Sequence, residues 1–309
     1  MTATAPMIQA RGLTKRFGST LAVDDLSFTV EPGKVTGLLG PNGAGKSTTL
    51  HLMVGLVRGG GRTLFDGRSY QELVCPMRVV GAMLEARALH PRRSARNHLR
   101  MLAAAAGVSD RRVDQVLDEV GLSSVAHRRA GGFSLGMAQR LGLAAALLAE
   151  PRALLLDEPA NGLDPHGVVW LRELLRAQAA HGRAVLVSSH LLAEMQLLAD
   201  HLLVIGRGRL LADEPTDRLL HRSRRSSVLV RSPDADRLAG LLAGQGATVQ
   251  RSGDELTVLG LDTQTVGELA HQHRLRLHEL GSRTASLEAA FLELVDGEVE
   301  YLQAGAGRP

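Results

Sequence analysis

The stretch that most constrains this chain is residues 40–47, Gly-Pro-Asn-Gly-Ala-Gly-Lys-Ser, a full match to the phosphate-binding loop G-x-x-x-x-G-K-[ST]. A short apolar run before it predicts a buried strand, and residues 47–54 predict a helix that ends at Gly55. Glycines let backbone N–H groups face phosphate oxygens, and the helix N-terminus adds partial positive charge. A chance glycine-rich turn is the alternative, but the flanking strand and helix favour nucleoside triphosphate binding. Lys46 would reach the phosphates, and the Ser47 hydroxyl would ligate Mg²⁺.

Composition limits the classes of partner. The 309 residues are enough for one large domain and a smaller one, and a hydrophobic content of 44% supports a sizeable core. Formal net charge is +4, and the basic stretches at residues 90–100 and 221–225 contain no aromatic side chain. Because nucleic-acid binders usually combine basic patches with stacking aromatics, we interpret both stretches as solvated surface and expect no nucleic-acid partner. The single cysteine, Cys75, excludes an internal disulfide and a cysteine-cluster metal site, as suits a reducing cytosol.

Membrane-spanning and secretory segments are not expected. The longest apolar stretch, residues 141–149, is far shorter than the roughly 20 residues that a spanning helix needs. Residues 1–6 lack the charged and apolar regions of a signal peptide. We therefore expect that the chain does not cross a membrane by itself.

A second strong feature is an apolar strand, residues 153–156, that ends in Asp157 and Glu158. In parallel sheets the carboxyl ends of the strands face the ligand crevice, so both acids are expected beside the phosphate loop. Strand alternation points them in different directions, which predicts different roles: Asp157 holds Mg²⁺ through water, and Glu158 polarises the attacking water. Another buried strand at residues 184–188 is followed by His190, for which a γ-phosphate contact is favoured over a structural role.

The remaining patterns predict further elements. Residues 8–17 and 21–30 read as extended chain, the second interrupted at Asp24-Asp25, and residues 62–65 as the edge of a hairpin. From about residue 85 to 149 the pattern is helical, with helices over 97–106 and 113–120. Ser134 is predicted to cap a further helix and to create a second anion site, although such a motif is weak by itself.

These features together resemble the nucleotide-binding subunit of an ATP-binding cassette (ABC) transporter, over residues 7 to 216. The resemblance depends on an ordered set of motifs: Phe17, GPNGAGKST at 40–48, FSLGM at 133–137 where the family has LSGGQ, LLLDE at 154–158, the turn at 162–164, and His190. It implies an α/β P-loop NTPase domain, 1–222, with a helical subdomain at about 86–149. It also implies that two cassettes face head to tail, with each ATP between one phosphate loop and the partner's 133–137 stretch.

The resemblance implies three sets of site residues. The catalytic set is Glu158, His190 and Lys46. The metal set is Ser47, Asp157 and Glu85. The ATP-contacting set, with Phe17 stacking on adenine, is Phe17, Val23, Gly40, Pro41, Asn42, Gly43, Ala44, Gly45, Lys46, Ser47, Thr48, Ser134 and Gly136. The alternative for Phe17 is a buried ring that only packs against its own loop.

Departures from the family pattern indicate which type of transporter the chain resembles. The family's glutamine loop has Glu85 in the glutamine position. Together with the SLGM signature and the run QRLGL at 139–143, this looks like peptide-antibiotic resistance exporters of the bacitracin and lantibiotic-immunity type. Ala138 before Gln139, and His98 after Asn97, depart from that group's usual residues. The resemblance implies an ATPase with ATP and Mg²⁺ as cofactors. It also implies a membrane-spanning permease subunit, a second copy as partner, and a place at the cytoplasmic face of the cell membrane. The alternatives are a soluble cassette ATPase acting on DNA or the ribosome, and a plain nucleotide-binding regulator.

Residues 223–300 carry none of these motifs. Their pattern predicts the order β-α-β-β-α-β followed by a helix, which indicates a small ferredoxin-like α+β domain. The strands are predicted at 226–231, 247–251, 255–259 and 274–280. Either a regulatory or dimerisation module or a structural cap fits this domain, and residues 301–309 are predicted to be a disordered tail.

Overall fold

The computed structural model describes residues 5–85, 88–222, 227–283 and 286–294. The chain divides into two compact units, residues 1–214 and 215–309. The domain boundary predicted after residue 222 falls at the end of a helix that belongs to the second unit. The predicted tail at 301–309 lies outside the described residues.

The first unit alternates strands and helices. Its strands are β1 (Ile8–Phe17), β2 (Thr20–Val30), β3 (Val35–Leu39), β4 (Gly60–Phe65), β5 (Arg68–Ser69), β6 (Val80–Met83), β7 (Ala153–Asp157), β8 (Ala184–Ser189), β9 (His201–Gly206) and β10 (Arg209–Pro215). Its helices are α1 (Lys46–Met53), α2 (Pro76–Val79), α3 (Ala95–Ala106), α4 (Asp110–Glu119), α5 (Leu135–Leu147), α6 (Pro165–Ala180) and α7 (Leu192–Leu198).

A six-stranded sheet in the order β10-β9-β3-β8-β7-β6 organises this unit. β3 pairs in parallel with β8 and β9, and β7 pairs in parallel with β8 and β6. In this register Asp157 lies opposite Ser188, and Ser188 lies opposite Leu38. The carboxyl ends of β3, β7 and β8 therefore meet at one edge, and the loop from β3 to α1 begins there. This confirms the predicted α/β P-loop fold and explains how Lys46 and Glu158, 112 positions apart in the sequence, reach one site.

A second, antiparallel sheet in the order β2-β1-β4-β5 packs through a shared core with α1 and the central sheet. The interruption predicted at Asp24-Asp25 does not end β2. Instead the register with β1 shifts there, because Leu13 pairs with Leu26 while Lys15 pairs with Val23. Asp25 takes a left-handed φ of 49°. The two acids thus form a β-bulge within a continuous strand.

The predicted helical region contains α3, α4 and α5, and two of these helices begin earlier than their apolar periodicity suggests. α3 begins at Ala95, where the Ser94 side chain accepts a hydrogen bond from the Asn97 N–H. α4 begins at Asp110, three positions before the first predicted residue. The residues that extend α4 are polar, and those that extend α3 are only Ala95 and Arg96. Neither extension adds a clear apolar repeat, so periodicity does not detect it.

The second unit begins with α8 (Thr216–Arg222) and continues with β11 (Ser227–Arg231), α9 (Ala235–Gly244), β12 (Thr248–Ser252), β13 (Glu255–Leu259), α10 (Thr263–Gln272) and β14 (Glu279–Arg283). Residues 287–294 are helical. The antiparallel sheet order β12-β13-β11-β14 is that of the ferredoxin-like arrangement.

The last strand of this unit differs from the prediction. We expected residues 274–280, but β14 begins at Glu279, opposite Arg231. Arg274 has a left-handed φ of 54°, which turns the chain after α10. The residues between this turn and β14 approach β11 before the regular ladder begins, and His278 N–H donates to the Arg231 carbonyl.

Candidate functional site

The loop from β3 to α1 wraps around a concave backbone surface. Gly45, directly before α1, has a φ of 104°, which side-chain-bearing residues rarely adopt. A Cβ atom on Gly45 would also collide with the carbonyl oxygen of Ala22. Glycine is thus required here for both reasons, and the first N–H groups of α1 remain directed toward the loop.

Lys46 points back into its own loop. Its Nζ donates to the carbonyl oxygen of Gly40 at 2.7 Å, and only 7% of the residue is exposed. The same Nζ lies 3.7 Å from Oε1 of Glu158. The ammonium group therefore lies between the loop that receives phosphates and the acid at the end of β7.

Glu158 joins the two predicted catalytic partners. While Oε1 faces Lys46, Oε2 lies 2.8 Å from Nδ1 of His190. Glu158 has a left-handed φ of 48°, uncommon for a residue with a side chain. The predicted set of Lys46, Glu158 and His190 is thus brought together by the structure.

A cleft of about 390 Å³ lies over these groups. Its lining includes every predicted loop residue from Pro41 to Thr48, together with Glu158 and His190. Two lining residues were not predicted as site residues: Ala22 and Asn161. Asn161 directly precedes the turn predicted at 162–164, but nothing in the sequence there indicates that it reaches the cleft.

Val23 has a different position from the one predicted. It was expected to contact ATP, but its side chain is completely buried in the core and does not line the cleft. Its Cγ2 lies beneath Gly45, where it supports the loop. Strand alternation explains the difference, because Ala22 and Val23 face opposite sides of β2.

Gly40, the first loop residue, is absent from the lining, and its carbonyl oxygen accepts from Lys46. Four predicted residues outside the loop also lie outside this cleft. Phe17 is half exposed at the end of β1, and Ser134 caps α5 by accepting from the Met137 N–H, as predicted. Gly136 faces the carbonyl of Gly162. Glu85 is exposed, two residues after β6 ends. Within one chain these groups are separate from the phosphate loop.

Asp157 does not line the cleft, and its carboxylate is hydrogen-bonded by Ser188 on the neighbouring strand. The Ser188 hydroxyl donates to Oδ1 of Asp157 and accepts from the Glu158 N–H at 3.0 Å. A carboxylate and the Ser47 hydroxyl are hard oxygen donors, which Mg²⁺ prefers. The donor chemistry of the predicted pair therefore fits this ion.

The segment after Asp157 and Glu158 is hydrogen-bonded to α5, the helix that begins within the 133–137 motif. Gln139 on α5 is buried and donates through Nε2 to the Asn161 carbonyl at 3.0 Å, with the Glu158 carbonyl 3.4 Å away. Its Oε1 has no hydrogen-bond partner among the described residues. In the sequence Gln139 stands only within the run at 139–143, and no local signal there indicates this contact between distant elements.

Comparisons with known proteins agree with this fold. A sequence profile described as ABC transporter matches residues 23–161, and one described as a domain of unknown function matches residues 226–288. The uncharacterized ABC transporter ATP-binding protein YhcH of Bacillus subtilis is 35% identical over 96% of this chain and 98% of its own. The bacitracin transport ATP-binding protein BcrA of Bacillus licheniformis is 38% identical over 71% of this chain and 73% of its own. A solved ATP-binding subunit of an ABC transporter is similar with a TM-score of 0.64 and 29% identity, covering 70% of this chain and 92% of that one.

Proposed function

This chain belongs to the ABC transporter family as an ATP-binding subunit, and on that premise we propose that it hydrolyses ATP to drive export of a drug or antimicrobial peptide through a separate permease. The observation that carries the proposal is the single cleft in which the phosphate loop, Glu158 and His190 meet. Similarity to a protein named for bacitracin transport supports this substrate class. It also confirms the expected resemblance to bacitracin exporters. A role on DNA or the ribosome has no comparable support.

In the proposed mechanism, ATP replaces contacts that the groups of the site make with one another in its absence. Lys46 leaves the Gly40 carbonyl and contacts the phosphates, while the loop N–H groups bind their oxygens. Glu158 then loses Lys46 as a partner and becomes available to orient the attacking water. His190, hydrogen-bonded to Glu158 through Nδ1, contacts the γ-phosphate through its other ring nitrogen.

Mg²⁺ would be held by Ser47 and Asp157, with Glu85 approaching from the loop after β6. When bound, it neutralises phosphate charge during phosphoryl transfer. Asp157 is the last residue of β7, and Glu85 lies two residues after the end of β6, the neighbouring parallel strand, so both are at the same edge of the sheet. This common edge supports Glu85 as part of the set.

A second copy of the chain would complete each ATP site. Ser134 and Gly136 lie outside the cleft of their own chain, which supports their predicted contact with ATP bound by the partner. The Ser134 hydroxyl accepts from one N–H group at the start of α5, and the remaining N–H groups of that helix start would form the proposed anion site. The proposed working unit is therefore a homodimer.

The proposed location is the cytoplasmic face of the cell membrane, reached through the permease. Among the helices that the structure describes, none has both the length and the apolar character needed to cross a bilayer. A separate subunit would therefore supply the export path.

The decisive experiment is substitution of Glu158 in the purified chain. Glu158→Gln removes the carboxylate that polarises water, so ATP turnover should fall on the order of 10²–10⁴-fold while ATP still binds. The ATP-bound variant should also elute as a dimer on a sizing column, because it does not hydrolyse the ATP that holds the two copies together. Hydrolysis at the wild-type rate would contradict the assignment of Glu158.

A further inference from the structure

We propose that Ser188 is a positioning residue that sets the directions of both acids, Asp157 and Glu158, through its single hydroxyl group. The inference rests on the proposed function, because it takes Asp157 to hold Mg²⁺ and Glu158 to orient water. It adds a residue that has no role in the set proposed above.

Strand register places Ser188 where it can serve both acids. Asp157 at the end of β7 lies directly opposite Ser188 on β8. The residue is completely buried, so its hydroxyl must find partners within the protein. A hydroxyl has one donor and two acceptor sites, and here the donor goes to Asp157 Oδ1 while an acceptor site receives the Glu158 N–H.

The first of these bonds fixes the Asp157 carboxylate. Oδ1 is held from the β8 side, which leaves Oδ2 free of Ser188 and available to the metal shell. Groups that hydrogen-bond a metal-ligating carboxylate fix its orientation, and their loss typically lowers metal affinity or activity by about 10–100-fold. Ser188 thus has the position of such an outer partner.

The second bond holds the backbone of Glu158 in its left-handed conformation. A φ of 48° is uncommon for glutamate and persists only where the surroundings enforce it. Anchoring of the Glu158 N–H at Ser188 Oγ, 3.0 Å away, is one such constraint. With the backbone fixed, the side chain spans from Lys46 to His190.

The neighbouring serine provides a matched control. Ser189 is also buried and lies at the end of the same strand, but its Oγ accepts from the Leu191 N–H at 2.9 Å. Among the described residues, it makes no hydrogen bond to either acid. Ser188→Ala and Ser189→Ala therefore each delete one buried hydroxyl, and only the first one deletes the link to the acids.

The test compares wild type, Ser188→Ala, Ser188→Thr and Ser189→Ala. Calorimetry measures ADP affinity with Mg²⁺ and with EDTA, and ATPase assays at saturating ATP measure the dependence on free Mg²⁺. Ser188→Ala should lose about 10–100-fold in the Mg²⁺-dependent gain in affinity or in turnover, while ADP affinity in EDTA stays unchanged. Ser188→Thr keeps the hydroxyl and should stay near wild type. If Ser188→Ala does not fold, Ser188→Cys takes its place, since a thiol is only a weak donor.

Two results would overturn the inference: an unchanged Mg²⁺ response in Ser188→Ala, or an equal loss in Ser189→Ala, which would indicate packing alone. Failure of the proposed function looks different, because then wild type itself would show no Mg²⁺-dependent ATP hydrolysis. In that case Ser188 would have no catalytic acids to position.

Discussion

Phe17 ends β1 beside the two-residue turn at Gly18-Ser19, and its ring is 51% exposed. The Nζ of Lys15 lies 4.7 Å from the ring centroid, so a cation covers one face. If adenine stacks on the other face, Phe17→Ala should weaken ATP binding by roughly 1–3 kcal/mol, the scale of base–aromatic stacking, and Phe17→Tyr should have little effect. Titration calorimetry measures both. Unchanged affinity in a folded Phe17→Ala protein would leave the ring only a packing role.

His98 on α3 predicts a pH dependence of stability. Burial, and then the charges of Arg93 and His90, lower the pKa of His98, and its Nδ1 has no partner among the described residues. The unfolded chain, with an ordinary pKa of about 6.5, therefore binds more protons than the folded one, so stability falls as pH falls through that value. Urea unfolding between about pH 7.5 and pH 5.5 should show this fall.

The matched variants for that measurement are His98→Gln and His181→Gln. The first should flatten the pH dependence, because it removes the buried titrating group. His181 is exposed and its ring bonds the Ala177 carbonyl, so its replacement should leave the slope in place. Equal slopes in wild type and His98→Gln would show that another group carries the effect.

At the scale of elements, the loop after β6 is expected to couple hydrolysis to transport. If Glu85 approaches the metal as proposed, it would add negative charge near Asp157 and Glu158, which is tolerable chiefly with Mg²⁺ bound. In the reconstituted complex, Glu85→Ala should nearly retain ATP affinity yet uncouple ATPase activity from export, whereas Glu85→Gln, which restores the family's commoner residue, should be nearly silent. Parallel assays of ATPase stimulation and substrate export decide this. Normal export per ATP in Glu85→Ala would mean that the loop has no coupling role.

The sequence predicts local motifs better than it predicts contacts between distant segments. The phosphate loop and the end of β7 were predictable, because their signals lie in contiguous residues. The contacts made by Ser188, Ala22 and Gln139 were not, because each joins segments whose register is set by tertiary pairing. The late start of β14 has the same cause, since ladder partners rather than propensity decide where a strand begins.

At the scale of the whole molecule, the chain alone is not expected to bind lipid strongly. In the basic stretch at residues 90–100, two arginines form ion pairs that partly neutralise their charge. Arg96 pairs with Asp114 at 2.7 Å, and Arg100 pairs with Asp110 at 3.0 Å. Flotation with protein-free anionic liposomes at physiological salt should leave the chain in the dense fraction, and membranes containing its permease should retain it. Strong flotation without a permease would identify the arginines as lipid contacts.

The order of the central sheet has a consequence for synthesis. β3, which leads into the phosphate loop, is flanked by β8 and β9, whose first residues are Ala184 and His201. A growing chain on the ribosome therefore contains the phosphate loop long before either neighbour of its strand exists. Domains form as units while the N-terminal part emerges first, so the ATP site should assemble only after about two-thirds of the chain has been translated. Until then the loop and the catalytic acids are present as sequence without a common scaffold.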